Sequence, residues 1–230
     1  SSWTEVNDLN TARGNLAGAG TQTSALAFGG GPPVKNETEK FDGTSWTEVN
    51  NLNTARQVLA GTGTQTAALA FGGEITANSA SAESFNGTSW TEIAALNSAR
   101  YALGGAGTTT SALAFGGDNP RTAITESWNG SAWSEVADLN TARYALAGFG
   151  SSNTSALAVG GFNPPFANET ESWDGTSWTE IANLATARQQ LRGSGSTAAA
   201  FVAGGITPSK TTATEEWTVS SFTTKTFDTD

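Results

Sequence analysis

A tryptophan returns along this chain at Trp3, Trp46, Trp90, Trp133 and Trp178, at intervals of 43 to 45 residues. A longer phrase returns with it. The segment from Thr11 to Val49 reads TARGNLAGAGTQTSALAFGGGPPVKNETEKFDGTSWTEV, and further copies start at Thr54, Ser98, Thr141 and Thr186, the last the most divergent. A period of this length means that one supersecondary unit stacks on its neighbours, because a single copy cannot bury its apolar face alone. The units cover residues 11–49, 54–93, 98–136, 141–181 and 186–218, which makes the 230-residue chain one domain.

Each unit contains four strand candidates. The first is Leu-Ala-Gly-x-Gly, as at Leu16 to Gly20, and the second Ala-Leu-Ala-Phe-Gly-Gly, as at Ala25 to Gly30. The third ends on an aromatic residue, at Phe41, Phe85, Trp128, Trp173 and Trp217, and the fourth is Ser-Trp-Thr-Glu-Val, as at Ser45 to Val49. Asp42-Gly43, Asn86-Gly87, Asn129-Gly130 and Asp174-Gly175 lie between the third and fourth. These are hairpin signals, since Asn and Asp tolerate and Gly favours positive φ. No segment has a helical period. Only 14% of the residues are charged, and Gly, Thr, Ser and Ala fill much of the rest, which suits short strands and tight turns. The expected fold is all-β, a five-bladed β-propeller of four-stranded antiparallel blades.

Closure of the ring rests on the termini. Ser2 to Val6 is a fourth strand without a blade, while the last unit reaches its third strand at Trp217. The N-terminal strand, residues 1–6, is therefore expected to complete the last blade and leave no open sheet edge. The tail then lies outside it or leads into a further domain. The rival gives the outer strand to Phe222–Phe227.

Repetition also sorts side chains. Trp3, Trp46, Trp90, Trp133 and Trp178 are expected to pack between blades. Each buries roughly 150–250 Å², equivalent to roughly 4–6 kcal/mol before entropy is deducted. The small residues of the first strands fit five strands converging on a narrow axis. Arg13, Arg56, Arg100, Arg143 and Arg188 recur once per unit, as do Glu39, Glu83, Glu126, Glu171 and Glu215. First and third strands start at the same face and lie two strand spacings apart, about 9.6 Å. An Arg side chain spans that distance, so five Arg–Glu pairs are expected, each inside one blade.

Composition narrows the chemistry. With no His and no Cys, the commonest general base, the commonest transition-metal ligand and every thiolate are absent. The net charge of −10 makes nucleic acid and anionic membranes poor partners. No apolar run approaches the ~18 residues that cross a bilayer. There is no Met, even at position 1, so the chain is expected to be a processed product or a piece of something longer. No cofactor is expected. A metal would need oxygen ligands, as Ca²⁺ does, and no spaced Asp motif supports one.

The Gly pair ending the second strand, an aromatic residue twelve to thirteen positions later and a Trp five after that resemble the kelch repeat, over essentially the whole chain. The wording GTSWTE, LNTAR and ALAFGG is also similar to kelch-like repeats of bacteriophage virion proteins. That resemblance implies a virion or extracellular setting. Galactose oxidase shares the kelch-type propeller, but its copper site needs His and a Cys-linked Tyr, which this chain lacks.

Function is sought in what escapes repetition. The segments Gly31–Asn36, Glu74–Ser81, Asp118–Ala123, Phe162–Ala167 and Ile206–Thr212, between second and third strands, differ in every unit. So does the pair after each repeated Arg, for example Gly14-Asn15, Tyr101-Ala102 and Tyr144-Ala145. Strand parity puts both sets on one face. Loops on a rigid scaffold commonly carry recognition, and the kelch resemblance implies partner binding there. Tyr101, Tyr144, Phe162, Phe166, Arg121, Lys35 and Arg192 are the candidate contact residues. The leading expectation is a non-catalytic recognition or structural module for a protein partner or surface glycan. The alternative is a lectin with several weak sugar sites acting together. A glycoside hydrolase ranks last, because the repeated Glu residues fall on third and outer strands, away from the axis.

Overall fold

The computed structural model describes residues 4–219, whose regular structure is entirely β. The first blade is an antiparallel meander of β1 (Ala17–Thr21), β2 (Ser24–Phe28), β3 (Thr38–Phe41) and β4 (Trp46–Val49). The second repeats it with β5 (Ala60–Thr64), β6 (Ala67–Phe71), β7 (Ala82–Phe85) and β8 (Trp90–Ile93). The third contains β9 (Gly104–Gly107), β10 (Ala112–Phe115), β11 (Thr125–Trp128) and β12 (Trp133–Val136). The fourth contains β13 (Ala147–Ser152), β14 (Ser155–Phe162), β15 (Phe166–Trp173) and β16 (Trp178–Glu180). In the fifth, β17 (Arg192–Gly195) and β18 (Ala199–Ala203) are followed by a small hairpin, β19 (Ile206–Thr207) with β20 (Ser209–Lys210), and then by β21 (Thr214–Thr218). The five first strands surround one axial cavity. The chain is a five-bladed β-propeller.

Turn chemistry explains the hairpins between third and fourth strands. A side-chain oxygen of Asp42, Asn86, Asn129 or Asp174 accepts the N–H groups two and three residues on. The Gly that follows takes φ of 94–98° in all four. The same N–H groups hold the Asp42 and Asp174 carboxyls below their ordinary pKa.

Two contacts recur between consecutive blades. In blades one to four the second Gly of the Gly-Gly pair donates its N–H to the carbonyl of the next blade's repeated Arg, from Gly30 to Arg56 at 3.0 Å through Gly161 to Arg188 at 2.9 Å. No side chain fits on the Gly before it: a Cβ on Gly116, at φ +64°, would lie 2.6 Å from the Arg143 carbonyl oxygen. In blades one to three the last residue of the second strand then packs on the next blade's Trp. Ring centroids are 4.9 Å apart for Phe28–Trp90, 5.1 Å for Phe71–Trp133 and 4.9 Å for Phe115–Trp178. The same Phe also presses on the neighbouring inner strand, where a Cβ on Gly61 would lie 2.5 Å from Phe28 Cζ. Packing between blades, as well as convergence on the axis, thus keeps the inner strands small.

One buried outer-strand Trp lacks a partner that two of its counterparts have. Trp90 Nε1 donates to Thr38 Oγ1 at 3.0 Å and Trp178 Nε1 to Thr125 Oγ1 at 3.1 Å. Trp133 Nε1 is buried without an acceptor, because the corresponding residue is Ala82. Ala82→Thr is expected to supply the hydroxyl and raise unfolding stability by about 0.5–1.5 kcal/mol, read from urea denaturation. No gain, or a loss, would show that the site has no room for the side chain.

The fifth blade differs from expectation. Its described sheet has three strands, β17, β18 and β21. Of the segment expected to close it, Thr4–Val6 are exposed and in no strand, while residues 1–3, including Trp3, lie outside the described residues. The rival Phe222–Phe227 also lies outside them. The seam between blades five and one is correspondingly loose. Ala203 stands where Phe28 stands in blade one, and Trp46 is only partly buried, against 5% exposure for Trp90, Trp133 and Trp178.

Candidate functional site

The repeated charges belong to the blades. Each Arg reaches across the second strand of its own blade, as when Arg100 Nη2 donates to the Ala114 carbonyl at 3.2 Å, and meets the Glu of the third strand. The pairs are Arg13–Glu39, Arg56–Glu83 (3.1 Å), Arg100–Glu126 (2.5 Å), Arg143–Glu171 and Arg188–Glu215 (3.1 Å). This is the arrangement expected from the repeat. A third member escaped the sequence reading. The Asn of the Leu-Asn-Thr/Ser-Ala-Arg phrase gives its backbone N–H and Nδ2 to the second carboxylate oxygen, and Nδ2 also to the carbonyl of the outer-strand Trp. Asn10, Asn53, Asn97 and Asn140 all do this, while Ala185 replaces Asn in the last blade and keeps only the N–H bond to Glu215. Repetition of that Asn was the available signal. Burial opposes ionisation of Glu39, but Arg13 and Asn10 outweigh it and hold its carboxyl below the ordinary pKa. Burial lowers the pKa of the Arg56 guanidinium, which Glu83 partly offsets. These Arg side chains are spent on each blade and do not face a ligand.

The axis is organised by a second feature with no sequence signal. Asn15, Val58, Ala102, Ala145 and Gln190 all adopt φ of 52–55°. Each N–H from Val58 onward donates to the carbonyl of its counterpart one blade earlier, at 2.8 to 2.9 Å. A β-branched residue such as Val58 pays of order 1–3 kcal/mol in this region, and persists there because the surrounding bonds over-determine it. The four residue types, Asn, Val, Ala and Gln, share nothing that predicts positive φ.

These residues ring a cavity of about 530 Å³ between the inner strands. Its wall is mostly backbone, Gly, Ala and Leu, with Tyr101, Tyr144, Asn15, Gln190 and Arg192 as the polar side chains. Among the described residues no carboxylate lines it. Arg192 stands where the other blades have Ala17, Ala60, Gly104 and Ala147, and its guanidinium donates to the Leu191 carbonyl at 3.1 Å.

The two variable sets do meet. Backbone bridges join Gly14 to Gly31, Gln57 to Glu74, Tyr101 to Asp118, Tyr144 to Phe162 and Gln189 to Ile206. Among the candidate contact residues, three come together in blade four: Tyr144 and Phe162 have ring centroids 5.5 Å apart, and Phe162 meets Phe166 edge-on at 5.5 Å. Tyr101 donates its hydroxyl to Asp118 at 3.1 Å, and burial, with that carboxylate, raises its pKa. Tyr101, Tyr144 and Arg192 share the axial cavity. Lys35 pairs with Glu37 at 2.9 Å, and Arg121 lies exposed in its own loop, so neither joins the cluster. All three aromatic rings of the cluster are half-buried. Such rings, with hydroxyl and guanidinium donors close by, are suited to stacking and hydrogen bonding. Among the described residues no three His, Cys, Asp or Glu side chains group to hold a metal ion. No helix among them is long and apolar enough to cross a membrane. Compared with known proteins, the chain matches no family model and no curated protein.

Proposed function

We propose that this propeller is a non-catalytic recognition or structural module that binds a protein partner or surface glycan through its variable face, on a virion or in an extracellular setting. The observation that carries the reading is the pairing of both variable sets around the cavity mouth, with the Tyr144–Phe162–Phe166 cluster beside it. A uniform scaffold that gathers its non-uniform residues in one place suits recognition. Glycoside hydrolysis needs two carboxylates, and among the described residues none lines the cavity, which supports a non-catalytic role. The cluster is built in one blade only, which favours a single site over five equivalent sugar sites. The virion setting rests on the resemblance of the repeats to those of phage virion proteins, and the genes flanking the coding sequence test it.

The binding test uses the labelled intact chain on a glycan array, with calorimetry against common sugars and against virion or cell-surface proteins. Binding is expected to fall at least about tenfold in Tyr144→Ala/Phe166→Ala, equivalent to about 1.4 kcal/mol. Thr88→Ala, in a constant hairpin, is expected to leave it unchanged. Binding that survives the double substitution but is lost on Thr88→Ala would place recognition on the other face.

A further inference from the structure

Between blades four and five lies an apolar pocket lined by Leu157, Val159, Thr170, Leu184, Val202 and Trp217, among others. Repeat position by repeat position, these correspond to Leu26, Phe28, Thr38, Leu52, Ala70 and Phe85, the residues around Trp90. Trp90 lies 5.0 Å from the Phe85 ring of its own blade and 4.9 Å from Phe28 of the blade before, and donates to Thr38. In the pocket, Trp217 and Val159 stand for the two rings and Thr170 for the hydroxyl. Glu215, beside it, has a side chain 25% exposed, where Glu39, Glu83, Glu126 and Glu171 are at most 2% exposed. The pocket therefore has the form of a seat for the Trp that opens a fourth strand.

We propose that its occupant is Trp3 of the same chain, with Ser2–Val6 added to the edge of β21 that no described strand pairs. Ser2–Val6 reads SWTEV, identical to Ser45–Val49. Trp3 also precedes Asn10 by the seven residues that separate Trp46 from Asn53. Trp46 belongs to blade one and Asn53 is held by Glu83 of blade two. Asn10 is held by Glu39 of blade one, so the same spacing places Trp3 one blade earlier, in blade five.

Spacing alone also admits Phe222, which follows Trp217 by five residues as Trp178 follows Trp173. Turn chemistry separates the two. In four blades the hairpin uses Asp or Asn followed by Gly at φ of 94–98°, and in blade five these positions are Thr218 and Val219. A β-branched residue is an outlier at positive φ, and Thr218 lacks the carboxylate or amide oxygen that accepts the turn's N–H groups. Val219 instead donates its N–H to the Ala198 carbonyl at 3.0 Å, so the chain continues along its neighbour where the other blades turn. A segment arriving from the other terminus needs no such turn. Thr4–Val6 are exposed and belong to none of the described strands, Val6 at 57% exposure.

The chain contains no Cys, so engineered pairs report without background. Ser172 faces Thr179 across β15 and β16, and by that register Thr4 faces Glu216. Directly opposed strand residues have Cα atoms about 4.5–5.5 Å apart, within disulfide range. Thr4→Cys/Glu216→Cys is expected to oxidise to an intrachain disulfide in the intact 230-residue chain, as judged by non-reducing electrophoresis and mass. Glu216→Cys/Thr223→Cys, which tests the rival register, is expected to stay reduced. A bond in the second pair only, or in neither, overturns the proposal. Disulfide-linked dimers from the first pair would assign the seat to a second copy and overturn it as well. In proteins without Cys, Trp3→Ala is expected to lower the melting temperature by roughly 10 °C. Phe222→Ala is expected to shift it by less than about 2 °C, and the reverse ranking also overturns the assignment.

Discussion

Replacing Glu39 by Gln is expected to destabilise the native protein by about 3–5 kcal/mol at neutral pH, measured by urea unfolding. Gln preserves the shape and can still accept from Asn10. It removes the negative charge opposite Arg13, whose side chain is fully buried. An Arg does not shed its proton in a protein, so an unpaired cation remains inside the blade. Linkage supplies an independent check. The folded-state pKa of Glu39 lies below its unfolded value, so its contribution is fully present above the unfolded pKa of about 4.3 and is lost as pH falls through the folded pKa. The stabilities of the native chain and Glu39→Gln are therefore expected to converge in acid. A difference that does not shrink between neutral pH and the acid limb would show that packing, and not charge, holds the pair.

Trp90→Ala carries the other large effect, a loss of about 3–5 kcal/mol. The indole fills the junction of blades one and two, lies against Phe28 and Phe85, and bonds Thr38. Its removal leaves a cavity that both sheets, fixed by their ladders, cannot close. Trp46→Ala is expected to cost about half as much or less, because Trp46 is partly exposed at a junction where Ala203 replaces Phe. Equal losses in chemical denaturation would mean that the seam between blades five and one is packed like the others.

Much of the scaffold was legible because its signals are local or periodic. The Asp-Gly and Asn-Gly hairpins follow from the φ preferences of two adjacent residues. The Arg–Glu pairs follow from strand spacing and side-chain reach, and all five form. The Asn that completes each pair was visible as a repeated letter, but its role depends on how the entry segment of a blade lies over the third and outer strands. The axial residues were not legible. Val58 and Ala102 adopt positive φ only because neighbouring blades hold their N–H and C=O groups in place. At the candidate site, the variable loops were identified by their departure from repetition. Sequence could not group Tyr144, Phe162 and Phe166 while setting Lys35 and Arg121 apart, because side-chain contacts depend on loop paths.

By itself, the sequence determined the blade. A repeat of about 44 residues, with apolar strands, fixed turn residues and one Arg and one Glu per unit, specifies a four-stranded meander through interactions within that unit. Only the tertiary structure decided what lies between blades: the Gly-Gly contact with the next Arg carbonyl, the left-handed residues around the axis and the seating of Trp90, Trp133 and Trp178 against the preceding blade's Phe. Those contacts join residues of different units, from Gly30 and Arg56 within the span of one repeat to Phe28 and Trp90 more than a repeat apart. Their geometry depends on how strongly each sheet twists and how closely the next one approaches, which no single repeat encodes.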